Sequence, residues 1–130
     1  MVKSKLFWDL QKKYSGLPIA EKMAWEGARN YLPGECEGDI ACNLGALNLT
    51  DGKYLSLYPN GAHSEEAMTN LVKILQETMP LLESPAQNDA QYKADGQKQL
   101  AILRATIMKT ASPQKSAMLK LIDRYAQYFR

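Results

Sequence analysis

Two cysteines and their acidic neighbours are the residues of this chain whose types and spacing could support chemistry. Cys36 and Cys42 are six positions apart, and Glu35, Glu37 and Asp39 lie beside or between them. If one cysteine lies in a loop and the other one turn into a helix, a disulfide would pin the loop to the helix start and contribute about 2 kcal/mol. Such a bond would favour an oxidising compartment. Two reduced cysteines, one of them buried, are the alternative.

Metal binding is not indicated by the same segment. The spacing of Cys36 and Cys42 matches none of the usual zinc motifs, and the further ligand pairs that structural zinc needs are missing. Glu35, Glu37 and Asp39 alternate along the chain, but they do not supply the ligand set of an EF-hand calcium loop. We therefore predict no metal site.

Catalysis has little support because His63 is the only histidine. Nothing in the spacing brings His63 to a cysteine and a third orienting group, as a nucleophilic site requires. The pair Glu65 and Glu66 is better explained by the favourable charge of carboxylates at a helix start. No glycine-rich phosphate-binding motif occurs. The sequence thus predicts no catalytic residue and no cofactor, and the protein is not expected to be an enzyme.

Length and composition predict one helical domain over residues 1–130. Apolar residues make up 45% and charged residues 23%, which is typical of a globular chain. No apolar run reaches the length needed to cross a bilayer, so we expect no membrane insertion. The compartment stays open: periplasmic or extracellular if a leader before Met1 has been removed, and otherwise cytoplasmic.

Charge is distributed unevenly along the chain. Residues 1–88 carry 8 basic and 11 acidic side chains, whereas residues 89–130 carry 8 basic and 3 acidic ones. The C-terminal cations recur about every five residues, which spreads them around a helix. Nucleic-acid-binding proteins usually cluster their charge, so we expect no nucleic-acid partner. A small ligand or anion bound by the basic C-terminal helices is an alternative function.

Helical periodicity separated by clusters of Pro, Gly, Ser and Asn predicts the fold class. We expect an all-α protein, either a small bundle or a short repeat-like array of five to six antiparallel helices. The predicted helices cover 4–14, 18–31, 39–58, 64–79, 89–109 and 112–129, and the first two could form a hairpin. Leu32-Pro33-Gly34 ends the second helix, and Ser84-Pro85-Ala86-Gln87-Asn88 is a linker-like loop.

Individual residues give further expectations for these helices. Asp39 and Ser64 are expected to cap the third and fourth helices through their side-chain oxygens. Thr50-Asp51-Gly52 is a weak point of the third helix, because glycine costs about 1 kcal/mol in a helix interior. In the first helix, one face carries Leu6, Leu10 and Tyr14.

The stretch from Tyr54 to Ala67 resembles a helix-to-helix junction of tetratricopeptide-like repeats, especially those of bacterial envelope-assembly proteins. Here Tyr58-Pro59 ends one helix, and Ser64-Glu65-Glu66 opens the next one with an acidic turn. The resemblance covers about residues 41–75, and no second copy follows at the repeat length. It implies a repeat-like helical hairpin inside a small bundle, and a partner-binding role in the bacterial cell envelope.

Aromatic residues are the best candidates for contact with a partner, because tryptophan and tyrosine anchor protein interfaces. The predicted partner-binding residues are Trp25, Tyr54, Tyr58 and Tyr128, of which Trp25 and Tyr128 are expected to be exposed. The alternative is that these rings pack in the core or at helix ends. The function predicted from the sequence is a non-catalytic helical scaffold that binds a protein or peptide partner in a groove between helices.

Overall fold

The computed structural model describes residues 2–31, 36, 38–83 and 89–130. Within these ranges the regular structure is entirely helical, without a strand, which confirms the predicted all-α class. Seven α-helices occur in the described residues, and a 3-10 helix continues the fifth. The helices are α1 (Val2–Lys13), α2 (Pro18–Arg29), α3 (Ile40–Leu49), α4 (Asp51–Leu57), α5 (Ser64–Thr78), α6 (Ala90–Met108) and α7 (Lys115–Tyr128), and the 3-10 helix is Met79–Glu83.

The helix predicted over 39–58 is in fact two helices, so the predicted count of five to six is too low. The chain leaves the helical conformation at Thr50, where φ is −118° and ψ is −107°. The Thr50 hydroxyl donates to the Ala46 carbonyl oxygen at 2.9 Å, a bond that bends helices. Glycine follows the break because a Cβ at Gly52 would lie 2.7 Å from the Leu47 carbonyl oxygen. The helix is therefore broken at the weak point that Asp51-Gly52 predicted. Crowding by the Leu47 carbonyl oxygen explains why glycine occupies position 52.

The two predicted helix caps have different outcomes. Asp39 caps α3 as predicted, since its Oδ1 accepts a hydrogen bond from the Cys42 backbone N–H at 3.1 Å. Ser64 is the first residue of α5 and does not cap it. Its hydroxyl accepts from the Gly61 N–H at 2.7 Å and donates to the Tyr58 carbonyl oxygen at 2.6 Å. Ser64 thus fixes the turn that precedes α5.

Helices α1 and α2 form an antiparallel hairpin. The Ser4 hydroxyl, near the start of α1, donates to the Gly27 carbonyl oxygen near the end of α2 at 3.1 Å. The helices approach closely here, because a Cβ at Gly27 would lie only 2.9 Å from Cε2 of Trp8. Gln11 links the hairpin to the rest of the chain by donating to the Tyr58 hydroxyl at 3.2 Å.

A cluster of buried apolar side chains extends from α2 through α7 and forms the core. Its burial provides the main stabilisation of the packed helices. Glycine is required at one point of the core, since a Cβ at Gly96 in α6 would lie 2.5 Å from the Phe129 ring. The largest fully buried members are Tyr54, Tyr125, Phe129, Ile40, Leu44, Leu55, Met68, Leu71, Leu75, Leu103, Ile107 and Met118.

Some sequence predictions fall on segments outside the described residues. These are the end of the second helix at Leu32-Pro33-Gly34, the carboxylates of Glu35 and Glu37, and the linker Ser84-Pro85-Ala86-Gln87-Asn88.

Candidate partner-binding groove

Three of the four aromatic residues predicted to bind a partner lie together near the turn between α4 and α5. Trp25, from α2, stacks on His63 with ring centroids 4.3 Å apart and ring planes 5° apart. Tyr54 meets Trp25 edge-on at a centroid distance of 5.2 Å, and Tyr58 lies 5.6 Å from Tyr54. We refer to Trp25, Tyr54, Tyr58 and His63 as the junction cluster.

The rings at the centre of the junction cluster are covered by the chain itself. Tyr54 has no exposed surface, and its hydroxyl accepts a hydrogen bond from the His63 backbone N–H at 3.0 Å. Burial raises the pKa of the Tyr54 hydroxyl. Trp25, expected to be exposed, is half-buried between His63 and the Arg29 guanidinium, which lies 4.0 Å from its ring centroid. The prediction is therefore corrected for Tyr54, because a ring without exposed surface cannot contact a partner.

A partly buried ion pair connects Arg29, which lies over the Trp25 ring, to α4. The Asp51 side chain, at the start of α4, is only 6% exposed and accepts a hydrogen bond from Arg29. Burial raises the pKa of the Asp51 carboxyl, and the Arg29 charge opposes that rise. His63, which stacks on Trp25, has its Nδ1 3.7 Å from a carboxylate oxygen of Glu66. These contacts connect α2 to α4 and α5, so their role is structural.

The remaining two predicted residues differ in exposure. Tyr58 is half-buried and receives the hydrogen bond from Gln11. Tyr128, at the end of α7, is 45% exposed. Among the described residues it makes no ring contact with the junction cluster. Tyr128 is open to solvent, but it does not combine with the other three into one site.

A groove that the sequence analysis did not predict lies between α1, the residues that follow α2, and the break between α3 and α4. Its volume is about 350 Å³. Leu49 is 49% exposed there, whereas Trp8 and Tyr31 are half-buried. The lining thus combines aromatic and aliphatic surface with charged groups, as ligand and peptide sites do. We refer to it as the Trp8 groove, and its lining residues are Ser4, Lys5, Trp8, Asp9, Tyr31, Leu49 and Lys53.

Helix packing fixes the position of Trp8 in this groove. The ring lies against Gly27 of α2, and the Lys53 Nζ, from α4, lies 4.3 Å from the ring centroid. On α1, Lys5 Nζ forms an exposed ion pair with Asp9 at 2.8 Å. Burial lowers the pKa of Lys53, and the Asp9 charge opposes this shift. The groove therefore places a partly desolvated ammonium group beside a tryptophan ring.

The groove could not be predicted from the face of α1 that was expected to be buried. Leu6 and Tyr14, assigned to the apolar face, are 54% and 38% exposed. The buried positions are Ser4 and Gln11, which hydrogen-bond to α2 and to Tyr58. The available signal was Trp8, a large aromatic residue that lies off the predicted apolar face.

The cysteines are close enough to bond. The Sγ atoms of Cys36 and Cys42 are 2.05 Å apart, which is the separation in a disulfide, and their Cα atoms are 5.5 Å apart. The disulfide connects Cys36 to the first turn of α3, as was predicted from the sequence.

In the described part of the chain, no group of three or more His, Cys, Asp or Glu side chains is arranged to hold a metal ion. None of the helices there is both long enough and apolar enough to span a bilayer.

Comparisons with protein-family models, with curated proteins and with solved structures find no match to this chain. The case for a function therefore rests on the residues and on their geometry.

Proposed function

We propose that the protein is a non-catalytic helical scaffold that binds a protein or peptide partner through the Trp8 groove, in the bacterial cell envelope. The observation that carries the proposal is an open groove in which Trp8, Tyr31 and Leu49 lie beside charged side chains. Tryptophan and tyrosine supply large contact areas with few rotatable bonds, which is why they dominate binding energies at interfaces. A bound segment would lie across α1 and the α3–α4 break.

A role without catalysis is supported by the surroundings of the lone histidine. His63 stacks on Trp25, and its backbone N–H is bonded to Tyr54. This arrangement makes His63 part of a packed joint. An envelope location is supported by the pairing of Cys36 with Cys42, because disulfides persist in oxidising compartments. The tetratricopeptide-like resemblance of residues 41–75 stays a prediction, and it agrees with this role.

Site-specific photo-crosslinking in the producing organism tests the proposed function. A photoreactive amino acid at Leu49, which is 49% exposed in the groove, is expected to capture a partner protein. The matched control is Ile19 on α2, which is 45% exposed and does not line the groove. Capture at Leu49 but not at Ile19 supports the proposal. Equal capture at both positions, or none at Leu49, contradicts it.

The proposed compartment is tested by the mass of the protein isolated from its native source. If Cys36 and Cys42 form a disulfide in the envelope, both thiols resist alkylation until a reductant is added. Two thiols that are alkylated without reduction would argue for the cytoplasm and against the envelope.

The alternative function, binding of a small ligand or anion by the basic C-terminal helices, has weaker support. Arg104 is paired with Asp123, and Lys115 donates to the Met108 carbonyl oxygen at 2.9 Å. The groove between α6 and α7 is lined mainly by apolar residues such as Ala101 and Ala105. A steep loss of binding with rising salt would favour this alternative, because screening weakens interactions between exposed charges.

A further inference from the structure

Lys53 is a cation of the Trp8 groove. Among the described residues, no carboxylate oxygen lies within ion-pair distance of its Nζ. Its ammonium group is instead placed over the Trp8 ring at 4.3 Å from the centroid. A cation near an aromatic face is stabilised only modestly, and its hydrogen-bond donors remain available.

The neighbouring charges offset the charge of Lys53 only in part, through Asp9. Among the described lining residues, Asp9 is the one acid, and it is bonded to Lys5 at 2.8 Å. The described lining residues comprise two lysines and one aspartate, which together carry one net positive charge. A ligand that complements this groove therefore brings a single negative charge to Lys53.

The rest of the lining selects for an apolar group next to that charge. Trp8, Tyr31 and Leu49 together provide aromatic and aliphatic surface. A polyphosphate or nucleic-acid strand fits poorly, because Asp9 would repel it and only one cation is unpaired. A carboxylate that lies next to an apolar side chain matches both parts of the groove.

We propose that the Trp8 groove binds an acidic peptide segment, in which an Asp or Glu carboxylate pairs with Lys53 while an adjacent apolar side chain packs on Trp8 and Leu49. This inference rests on the proposed function and names the chemistry of the partner. The partial burial of Lys53 over the Trp8 ring supports it, because this burial lowers the pKa of the ammonium group and an incoming carboxylate would offset that cost.

Peptide display on the full chain tests the inference with random sequences in place of the natural partner. A library of random 12-residue peptides is selected on the immobilised protein, and enriched peptides are measured by fluorescence anisotropy. Asp or Glu beside an aromatic or aliphatic residue is the expected motif. Replacing its carboxylate by the amide should weaken binding about tenfold, which is the effect of losing one charge-assisted hydrogen bond.

Variants of the protein assign the effect to the groove. Lys53→Met keeps an aliphatic side chain over Trp8 and is expected to weaken binding of the acidic peptide about tenfold. The amide analogue of the peptide is expected to bind Lys53→Met and wild type equally. Lys120→Met, an exposed lysine of α7 outside the groove, should leave binding unchanged. Circular dichroism spectra and melting curves confirm that each variant is folded.

The outcomes separate this inference from the function on which it rests. Suppose that the enriched peptides are uncharged, bind Leu49→Asp more weakly than wild type, and bind Lys53→Met as well as wild type. The groove then binds peptides, but the inference that its ligand is acidic is wrong. If no peptide is enriched, or if enriched peptides bind Leu49→Asp as well as wild type, the Trp8 groove is not the binding site. An acidic motif that loses binding in both variants supports the inference.

Discussion

The two tryptophans of the chain lie on neighbouring helices of one hairpin and have different surroundings. Both are half-buried. Trp25 is covered by His63 and Arg29, at 4.3 Å and 4.0 Å from its ring centroid. Trp8 packs on Gly27 and lies near Lys53, but it lines an open groove of about 350 Å³.

This difference shows that a tryptophan indicates a binding surface only when the chain itself leaves part of its ring uncovered. In the junction cluster, the rings contact one another and neighbouring ion-paired side chains, so we expect these residues to stabilise the fold. In the Trp8 groove, an exposed leucine and an unpaired lysine accompany the ring, so the expected role is binding.

Tyr54→Ala should have the largest effect on stability. Removing a fully buried aromatic ring leaves a cavity, and the free energy of unfolding is expected to fall by about 3–5 kcal/mol. Tyr128→Ala is the control, because its ring is 45% exposed and its loss should change stability by less than about 0.5 kcal/mol. Urea unfolding followed by circular dichroism measures both values. Similar losses in the two variants would contradict the buried position of Tyr54.

Arg29→Met should destabilise the protein by about 1–3 kcal/mol at neutral pH, because it leaves the buried Asp51 carboxylate unpaired. The control is Arg104→Met, which breaks an exposed pair with Asp123 and should cost less than about 1 kcal/mol.

The loss in Arg29→Met should also depend on pH. Burial raises the pKa of Asp51 above the ordinary value of 3.8, so the folded state binds this proton more tightly than the unfolded state. The stability that this group contributes is complete below 3.8 and is lost as the pH rises through the folded value. Without Arg29 the folded pKa rises further, so the variant should be closer to wild type near the ordinary pKa of Asp51. A pH-independent difference in unfolding free energy would exclude this explanation.

Gly27→Ala should disturb Trp8 while leaving the junction cluster in place. The new Cβ would lie 2.9 Å from the Trp8 ring, and such overpacking usually costs about 1–3 kcal/mol. Gly45→Ala is a matched control in α3, because its Cβ would meet Gln99 at an ordinary 3.7 Å. That variant should gain up to about 1 kcal/mol from helix propensity. In a Trp25→Phe background, a shift of the Trp8 fluorescence is expected only for Gly27→Ala.

Tyr58→Phe should have the smallest effect, because it removes one hydrogen bond between the hairpin and the junction cluster. The Tyr58 hydroxyl accepts from Gln11 at 3.2 Å, and its loss is expected to cost about 1 kcal/mol. Tyr14→Phe, at an exposed position just after α1, should be neutral. If thermal unfolding finds the two variants equally stable, Gln11 does not tie α1 to the junction.

The linear order of residues was enough to establish the helical class, most helix bounds, the Asp39 cap and the reach between Cys36 and Cys42. These features depend on periodicity, on turn residues and on neighbours within a few positions, all of which can be read along the chain. The break at Thr50 was foreseen in place, although the crowding at Gly52 was not visible without the fold.

Three features could be settled only by the folded arrangement: which face of α1 is buried, that Tyr54 is a core residue and that Trp8 lines a groove. Each depends on contacts between residues far apart in sequence, such as Ser4 with Gly27, 23 positions away, and Gln11 with Tyr58, 47 positions away. Hydrogen bonds of this kind bury polar residues on a face that hydrophobic periodicity would assign to solvent. Whether a tryptophan ring is covered or left open is therefore set by the neighbours that folding brings to it.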